Sequence, residues 1–253
     1  MWTARWTFVV VWFVFASAAA LPVGNAEATD FGCTNVLGRA SVAGPTRTVA
    51  WRAGIEARTA VFYRLPGKSI GPARWLAPTD APWLLVVARP RVADDRCWLR
   101  LRLPWRPNGA AGWVNANNVV VEKTPWRVQV SRGRRTLTLL RGGASVRTLS
   151  VVVGKPSTPT PLGLFAIVWA IPWHPNDFLG SWVLELTGHS DVLQQFDGGD
   201  GTVGIHGRGG ASLLDPLGSA RSHGCIRLAN DAIDWLVATV GVDRLPGTPV
   251  QIS

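Results

Sequence analysis

Cysteine and histidine are scarce in this chain, which contains three cysteines and four histidines in 253 residues. Only one stretch brings them together, where His206, His223 and Cys225 fall within residues 206–225. A catalytic zinc site would also need a fourth position and a residue to activate its water, and no clear candidate accompanies these three. This scarcity makes zinc the weaker interpretation. Two other interpretations of Cys225 remain: a reactive thiol, or a buried structural cysteine packed with core histidines.

Long runs of like charge are also missing, although the net charge is +10 from 26 basic and 16 acidic residues. The charge comes almost entirely from arginines that are dispersed along the chain. Nucleic acid is poorly supported as a partner, because nucleic-acid binding usually needs basic residues clustered on one face. An anionic surface or acidic polymer fits such a balance better. A solvated basic surface without a dedicated partner stays open as well.

The beginning of the chain has the pattern of an export signal. Arg5 is followed by an uninterrupted apolar or small-residue run over residues 6–20, and Ala26-Glu27-Ala28 is an A-x-A cleavage site. This pattern predicts a secretory signal peptide over residues 1–28. An uncleaved membrane anchor is the alternative, since residues 6–23 approach the shortest spanning length. Lipid attachment at Cys33 would require an apolar residue three positions earlier, but that residue is Asp30. A lipoprotein is therefore not expected.

The length of the chain favours two small domains. Residues 29–44 are rich in Gly, Ala, Ser and Thr and are interpreted as a linker. Residues 45–122 contain short apolar stretches separated by Pro, Gly and Asp clusters, which indicates an all-β domain. In the second domain, residues 126–253, strands flank Arg132-Gly133-Arg134 in a predicted hairpin. We expect Asn230 to cap a helix that ends at Gly241.

Cys225 is the candidate nucleophile of this chain. A thiol attacks carbonyls as its thiolate, so a neighbouring imidazole that accepts the proton would activate it. His223 is two residues away, and in an extended segment its side chain would share a face with Cys225. His206 is distant in sequence, as partners in cysteine–histidine pairs usually are. Chain order alone does not decide between the two histidines.

Two motifs resemble one enzyme family. Ile205-His206-Gly207, followed by Ser222-His223-Gly224-Cys225-Ile226-Arg227, resembles the signature of the L,D-transpeptidase catalytic domain (YkuD-like). Thr158-Pro159-Thr160-Pro161-Leu162-Gly163-Leu164-Phe165 resembles the Thr-Pro-x-Gly-x-Phe segment of that family and predicts a rigid connection into the next strand. The resemblance covers residues 126–253. It implies a β-rich catalytic domain with one or two short helices.

Residues 97–121 carry a second, weaker likeness. A strand, the turn Arg106-Pro107-Asn108-Gly109 and then Gly112-Trp113-Val114 resemble a bacterial SH3-like module. The fold class implied for the whole chain is therefore mainly β, with an SH3-like small β-barrel at residues 45–122 preceding the catalytic domain. Such a module is expected either to bind wall peptides or to position its neighbour.

The resemblance to L,D-transpeptidases implies roles for individual residues. Cys225 would form a thioester, and His206 would be the general base, oriented by the carbonyl of Gly207. His223 would shape the pocket and support charge near the sulfur. Backbone N–H groups of His223, Gly224 and Cys225 are the expected oxyanion donors.

Four more residues are assigned around that site. Ser222 would hydrogen-bond locally and position the loop. Arg227 would clamp a substrate carboxylate through its planar fork, with a salt bridge inside the domain as the alternative. Arg208, with Arg221, borders the site and is expected to help bind anionic wall peptides. His174 and His189 are expected to be surface residues in loops.

The implied substrate is a peptidoglycan stem peptide, cleaved between the diamino acid and the terminal D-alanine. Transfer to a neighbouring amine would form a 3→3 cross-link, whereas hydrolysis would make the protein an L,D-carboxypeptidase. No cofactor or metal is implied. A non-catalytic wall-binding protein and a zinc-dependent wall peptidase are the alternatives from other classes.

Export to the periplasm or cell wall would agree with such a substrate. It would also permit a disulfide between Cys33 and Cys97, with Cys225 left as the free thiol.

Overall fold

The computed structural model describes residues 33–34, 36–37, 41–56, 61–66, 68–72 and 83–253. The predicted leader, residues 1–28, lies outside these residues, as does part of the predicted linker. Within the described ranges, no helix combines the length and apolar character needed to cross a bilayer.

Eight strands precede Pro125 in the described part of the chain and form two antiparallel sheets. One sheet has the order β4–β1–β8 and the other the order β3–β2–β7–β6–β5. The strands are β1 (Ala50–Ile55), β2 (Val61–Leu65), β3 (Lys68–Pro72), β4 (Trp83–Leu85), β5 (Arg91–Ala93), β6 (Arg96–Arg102), β7 (Ala111–Asn115) and β8 (Val119–Thr124).

Strand β6 shows why this half folds as sheets. Leu99 and Leu101 are fully buried while Arg100 between them is exposed, because successive side chains of a strand point to opposite faces. The chain then turns over residues 106–109, where Gly109 has φ +86°, and returns as β7. The β-rich character of this half is confirmed. Its likeness to an SH3-like barrel stays a prediction.

A disulfide lies in the core of this half. The sulfurs of Cys33 and Cys97 are 2.10 Å apart, and both residues are buried. They pack with Phe62, Leu99 and other apolar side chains. Cys225 is the free cysteine of the chain.

The second half is built on an eight-stranded sheet of order β11–β10–β9–β18–β13–β14–β15–β17, and β12 pairs with β16 beside it. One α-helix, α1 (Asn230–Val240), belongs to this half. The strands are β9 (Trp126–Ser131), β10 (Thr136–Arg141), β11 (Ala144–Ser150), β12 (Val153–Gly154), β13 (Gly163–Pro172), β14 (Trp182–His189), β15 (Thr202–His206), β16 (Ala220–Ser222), β17 (Ile226–Arg227) and β18 (Pro249–Ile252).

Most of the elements predicted in this half are present. Strands β9 and β10 form the expected antiparallel hairpin, with Ser131 opposite Thr136. The closing strand β18 inserts between β9 and β13, parallel to the first and antiparallel to the second. The segment between β10 and Gly154 forms two strands, β11 and β12.

Helix α1 covers the sheet with its apolar face. Ile233 and Leu236 are fully buried, and Val237 and Val240 are nearly so, in one core with the sheet side chains. Burial of side chains of this size stabilises the fold by about 1.5–3 kcal/mol each. The helix ends at Gly241, as predicted, with φ +91°. The expected N-cap is wrong, because Ala229 occupies that position and Asn230 is the first helical residue.

The two halves are in contact through buried groups. Ala50 and Leu85 of the first half pack with Ala166 of β13. The guanidinium of Arg52 donates to the carbonyls of Asp243 and Pro246 at 2.6 and 3.2 Å. The interface therefore combines apolar packing with hydrogen bonds from a buried arginine.

Candidate active site

Two neighbouring parallel strands bring the candidate residues together. In the pairing of β15 with β17, Ile205 lies beside Ile226 and His206 beside Arg227. Side chains alternate between the faces of a sheet, so the two isoleucines share one face and enter the core. His206 and Arg227 share the other face. Cys225, one residue before β17, also reaches this face, and all three line one cavity.

The cavity has a volume of about 410 Å³. Its floor contains Cys225, His206 and Arg227, and His223 lies at its side. The walls are largely aromatic and aliphatic, formed by Trp173, Phe178, Leu193 and Phe196. A concave apolar site with a few converging polar groups is the usual form of a ligand pocket.

His206 is a buried, neutral imidazole in this structure. Its Nδ1 lies 2.8 Å from the carbonyl of Gly207, and because a carbonyl only accepts, Nδ1 carries the proton. Burial, followed by the positive charge of Arg227, lowers the pKa of His206 to about 4, against the raising effect of the Gly207 and Leu179 carbonyls. At neutral pH, Nε2 is therefore unprotonated and able to accept a proton.

The thiol of Cys225 is also neutral at rest. Burial raises its pKa, while a backbone hydrogen bond at Gly204 and the charge of Arg227 act in the opposite direction. The residue as a whole stays partly exposed and faces the cavity. The resting pair is consequently thiol and imidazole, rather than thiolate and imidazolium.

The loop that carries Cys225 is braced by Ser222. The buried hydroxyl of Ser222 donates to the carbonyl of Cys225 at 2.6 Å and accepts the N–H of Gly224 at 3.1 Å. Ser222 thus has the local positioning contacts expected for it. The expectation that the Gly224 N–H is an oxyanion donor is corrected here, because that N–H is engaged by Ser222. Gly224 has φ +132°, which favours glycine at this position.

Thr160 supports the same loop from behind and was missed as a site residue by sequence reasoning. It is fully buried; its hydroxyl donates to the carbonyl of Gly224 at 2.8 Å and accepts the N–H of Gly154 at 2.9 Å. Thr160 belongs to the Thr-Pro segment that was expected only to connect two strands. A hydroxyl residue between two prolines was the available signal.

His223 occupies a more exposed position than His206. Its ring stacks on Phe196 with centroids 5.2 Å apart, and its Nε2 lies 3.1 Å from Nζ of Lys155. Because an ammonium only donates, Nε2 accepts in this contact and its lone pair is engaged. Partial burial and the charges of Lys155 and Arg227 lower the pKa of His223. Of the two histidines, His206 has its Nδ1 proton held by a carbonyl, whereas Nε2 of His223 already accepts from Lys155.

Arg227 is buried and already paired. Its Nη1 lies 2.7 Å from Oδ2 of Asp215, and its Cζ lies 4.6 Å from the centroid of the Phe178 ring. The internal salt bridge considered as an alternative is therefore present. Nε is buried and has no hydrogen-bond partner. The positive charge faces the cavity, but Nη1 is not available for a bidentate clamp.

Arg208 is directed away from the cavity lining. Its Nη1 donates to the backbone carbonyl of Asp215 at 2.6 Å. Its backbone N–H donates to Oδ1 of Asn230 at 2.9 Å. Arg208 is not among the cavity-lining residues, and Arg221 is exposed outside the lining as well.

Asn230 organises the loops beside His206. Besides Arg208, its Oδ1 accepts the N–H of Ser181 at 3.2 Å, and its Nδ2 donates to the carbonyl of Pro175 at 3.0 Å. Gly207 must be glycine here, because an added Cβ would lie 2.2 Å from Oδ1 of Asn230. The residue expected to cap a helix instead ties the end of β15, which carries His206, to residues 175–181.

The remaining histidines differ from one another. His174 is exposed, as expected. The expectation for His189 is wrong, because it ends strand β14 and is 1% exposed. Its Nε2 lies 3.1 Å from Oδ2 of Asp200. Within the described part of the chain, no three His, Cys, Asp or Glu side chains are arranged to hold a metal ion.

A thiol and an imidazole converging in a cavity define a site suited to cysteine-dependent acyl transfer. A family model described as the L,D-transpeptidase catalytic domain (YkuD) matches residues 125–252, and the chain belongs to this family.

Known relatives agree with this assignment. A putative L,D-transpeptidase YkuD of Bacillus licheniformis is 32% identical over 168 residues, covering 64% of this chain and 90% of that protein. The Bacillus subtilis protein of the same name is 29% identical over 154 residues, covering 58% and 84%.

Solved structures were also matched. An L,D-transpeptidase of Mycobacterium tuberculosis H37Rv has a TM-score of 0.41 and 18% identity, with coverage of 68% of this chain and 90% of that one. An Enterococcus faecium L,D-transpeptidase has a TM-score of 0.35 and 22% identity, and the match spans 51% of this chain and 49% of that one.

Proposed function

We propose that this protein is a peptidoglycan L,D-transpeptidase that forms 3→3 cross-links through a cysteine thioester. The observation that supports this most strongly is the convergence of Cys225 and His206 on one face of the β15–β17 pair, at the floor of one cavity. Membership of the YkuD family supports the reaction class and the stem-peptide substrate.

In the first step, Sγ of Cys225 attacks the carbonyl carbon of the diamino acid in a tetrapeptide stem. The thiol proton passes to Nε2 of His206. The bond to D-alanine then breaks, and the same proton goes to the departing amine. Nε2 of the neutral His206 imidazole carries no proton at neutral pH and can receive this one, but its low pKa makes it a weak base, so the transfer must accompany the attack of Sγ.

The negative oxygen that forms in this step needs fixed donors. With the Gly224 N–H held by Ser222, the N–H groups of His223 and Cys225 are the proposed pair. Loss of a single oxyanion donor typically slows a reaction by about 100- to 1,000-fold. Arg227 contributes positive charge beside the sulfur, which favours the thiolate. We assign it this role rather than a bidentate carboxylate clamp.

In the second step, a side-chain amine of a neighbouring stem attacks the thioester carbon. His206 takes a proton from that amine and returns it to the sulfur, and the cross-link leaves. Water in place of the amine would give an L,D-carboxypeptidase through the same acyl-enzyme. We propose that the reaction occurs outside the cytoplasm, after export by residues 1–28. We further propose that residues 45–122 are an SH3-like module that binds wall peptides or positions the catalytic domain.

The direct test is incubation of the purified protein with a disaccharide-tetrapeptide and analysis of the products by mass spectrometry. A cross-linked dimer with release of D-alanine is expected from the wild type and not from Cys225→Ala. Tripeptide with free D-alanine and no dimer would select the carboxypeptidase. Equal dimer formation by Cys225→Ala would refute the mechanism. If the wild type retains bound wall fragments and converts none, the protein is the non-catalytic binder.

The choice of base is tested by acylation with a carbapenem, which should add covalently to the wild type but not to Cys225→Ala. General bases typically contribute about 100- to 10,000-fold to rate. His206→Gln is expected to slow acylation within that range. His223→Gln is the matched control and should lose less than about 10-fold, because its Nε2 already accepts from Lys155. The opposite ranking would transfer the role of base to His223.

A further inference from the structure

The turn between β6 and β7 reaches from the first half of the protein to a wall of the cavity. Asn108, in this turn, holds both polar backbone groups of His189. Its Nδ2 donates to the His189 carbonyl at 2.7 Å, and its Oδ1 accepts the His189 N–H at 2.8 Å. Nδ2 also lies 2.8 Å from Oδ1 of Asp191. One side chain thereby fixes the end of β14.

Arg106, in the same turn, holds the segment that follows. Nη1 donates to the carbonyl of Ser190 at 3.0 Å. Nη2 donates to the carbonyls of Leu193 and Asp200 at 2.9 and 2.8 Å. A guanidinium is planar and rigid, so three such bonds set the relative positions of three backbone groups at once.

These carbonyls belong to one segment, residues 190–201, which we call the 190–201 wall. Five of its residues line the cavity, including Leu193, Phe196 and Asp197. The segment connects β14 to β15, and most of it is exposed. Regular sheet pairing therefore does little to hold it, whereas Arg106 binds it at both ends.

The packing at Gly201 shows how closely the two halves fit. A Cβ on Gly201 would lie 3.0 Å from Nη2 of Arg106 and 2.2 Å from the carbonyl of Leu193. Gly201 also has φ +78°. Glycine is required there both by its conformation and by the space that Arg106 and Leu193 occupy.

We propose that Arg106 and Asn108 are positioning residues for substrate binding, and that the first half of the protein shapes the cavity through them. In the proposed reaction, a stem peptide in this cavity would lie against Leu193 and Phe196 of the 190–201 wall, which line the cavity together with Cys225. If Arg106 no longer held the 190–201 wall, this segment would have to be ordered again each time substrate binds. The cost falls on binding, because neither residue touches Cys225 or His206. This proposal rests on the proposed transpeptidase function for its kinetic consequence, though not for its structural one.

The structural consequence is tested by hydrogen–deuterium exchange on the substrate-free protein. In Arg106→Ala and in Asn108→Ala, amides of the 190–201 wall are expected to exchange about 10-fold faster or more, while those of β9 and β10 remain unchanged. Arg106→Lys keeps the charge but loses the fork and should be intermediate. Arg96→Ala, at the exposed opposite end of β6, is the matched control and should resemble the wild type.

The kinetic consequence is tested with the tetrapeptide substrate. In Arg106→Ala, KM is expected to rise about 10-fold with kcat within about twofold, since binding and not chemistry is impaired. Unchanged exchange in the wall, or faster exchange with unchanged KM, would overturn the proposal. Faster exchange throughout the protein would mean general destabilisation and would also overturn it. A wild type that gives no product would count against the transpeptidase function, and the exchange experiment would still decide the role of Arg106.

Discussion

Replacing Thr160 by valine tests whether the loop carrying Cys225 is held from behind. Valine has nearly the same shape as threonine but no hydroxyl, so the carbonyl of Gly224 and the N–H of Gly154 both lose their partner. Thr160 is fully buried, which hinders water from replacing the hydroxyl. Each buried group left without a partner costs about 1–3 kcal/mol. The two losses together should therefore lower the free energy of unfolding by about 2–6 kcal/mol.

The matched control is Thr160→Ser, which retains the hydroxyl and removes only a methyl group. It should lose about 1 kcal/mol. Urea unfolding followed by tryptophan fluorescence measures the difference. At a slope of about 3 kcal/mol per M, the midpoint of Thr160→Val should fall by about 0.7–2 M with the slope unchanged.

The same two variants report on the site through the rate of carbapenem acylation at Cys225. Displacement of the Gly224 carbonyl would shift the neighbouring N–H groups, and loss of one donor costs about 100-fold or more. Thr160→Val should therefore acylate far more slowly than Thr160→Ser. Equal stability and equal acylation of the two variants would refute the bracing role of the hydroxyl.

Three further predictions concern protons and the disulfide. Because the pKa of Cys225 is raised, its alkylation by iodoacetamide should keep accelerating above about pH 8.5, and a rate plateau at pH 5–7 would indicate an ion pair instead. The pKa of His206 is about 4 in the folded protein and 6.5 as its ordinary value, so the unfolded chain binds more protons between these two pH values. The free energy of unfolding should therefore decrease by about 3 kcal/mol as the pH is lowered from 6.5 to about 4. His206→Gln should flatten this pH profile. Cys33→Ala with Cys97→Ala opens a crosslink spanning 64 residues and should lower the unfolding free energy by about 4 kcal/mol, whereas an unchanged urea midpoint would show the bond to be dispensable.

The candidate site residues that could be predicted best from the sequence are those with rare side-chain chemistry. A lone thiol near two histidines singles out Cys225 and its candidate bases by residue type and spacing, because few side chains can serve as nucleophile or base. A period-two pattern in β6 likewise agrees with the burial of Leu99 and Leu101 and the exposure of Arg100 between them, although Trp98 is buried too. In both cases the prediction depends only on residue type and on residues close by in the sequence.

The residues that sequence did not indicate act across long separations in the chain. Asn230 looked like a helix cap, yet its side chain bonds Ser181 and Pro175 about fifty residues away. Arg106 holds carbonyls 84 to 94 positions further along the chain. Asparagine and arginine are common and serve many roles, so only the folded arrangement selects one. His189 was misassigned for the same reason, since its burial depends on strand pairing that no local pattern reveals.

Cys225 and His206 are both neutral in the resting site, so in the proposed mechanism the loop that carries Cys225 must stabilise the charge that develops during the reaction. A preformed thiolate–imidazolium pair would stabilise its own charges, but here both pKa shifts oppose that state. In the proposed mechanism, charge must therefore develop while Sγ attacks, and the groups that stabilise it must already be in position. Arg227 favours the thiolate but disfavours a protonated His206, so it cannot serve both halves of the pair. The backbone N–H groups beside Cys225 must supply the rest of the stabilisation of the developing negative charge. Their placement depends on Ser222 and Thr160.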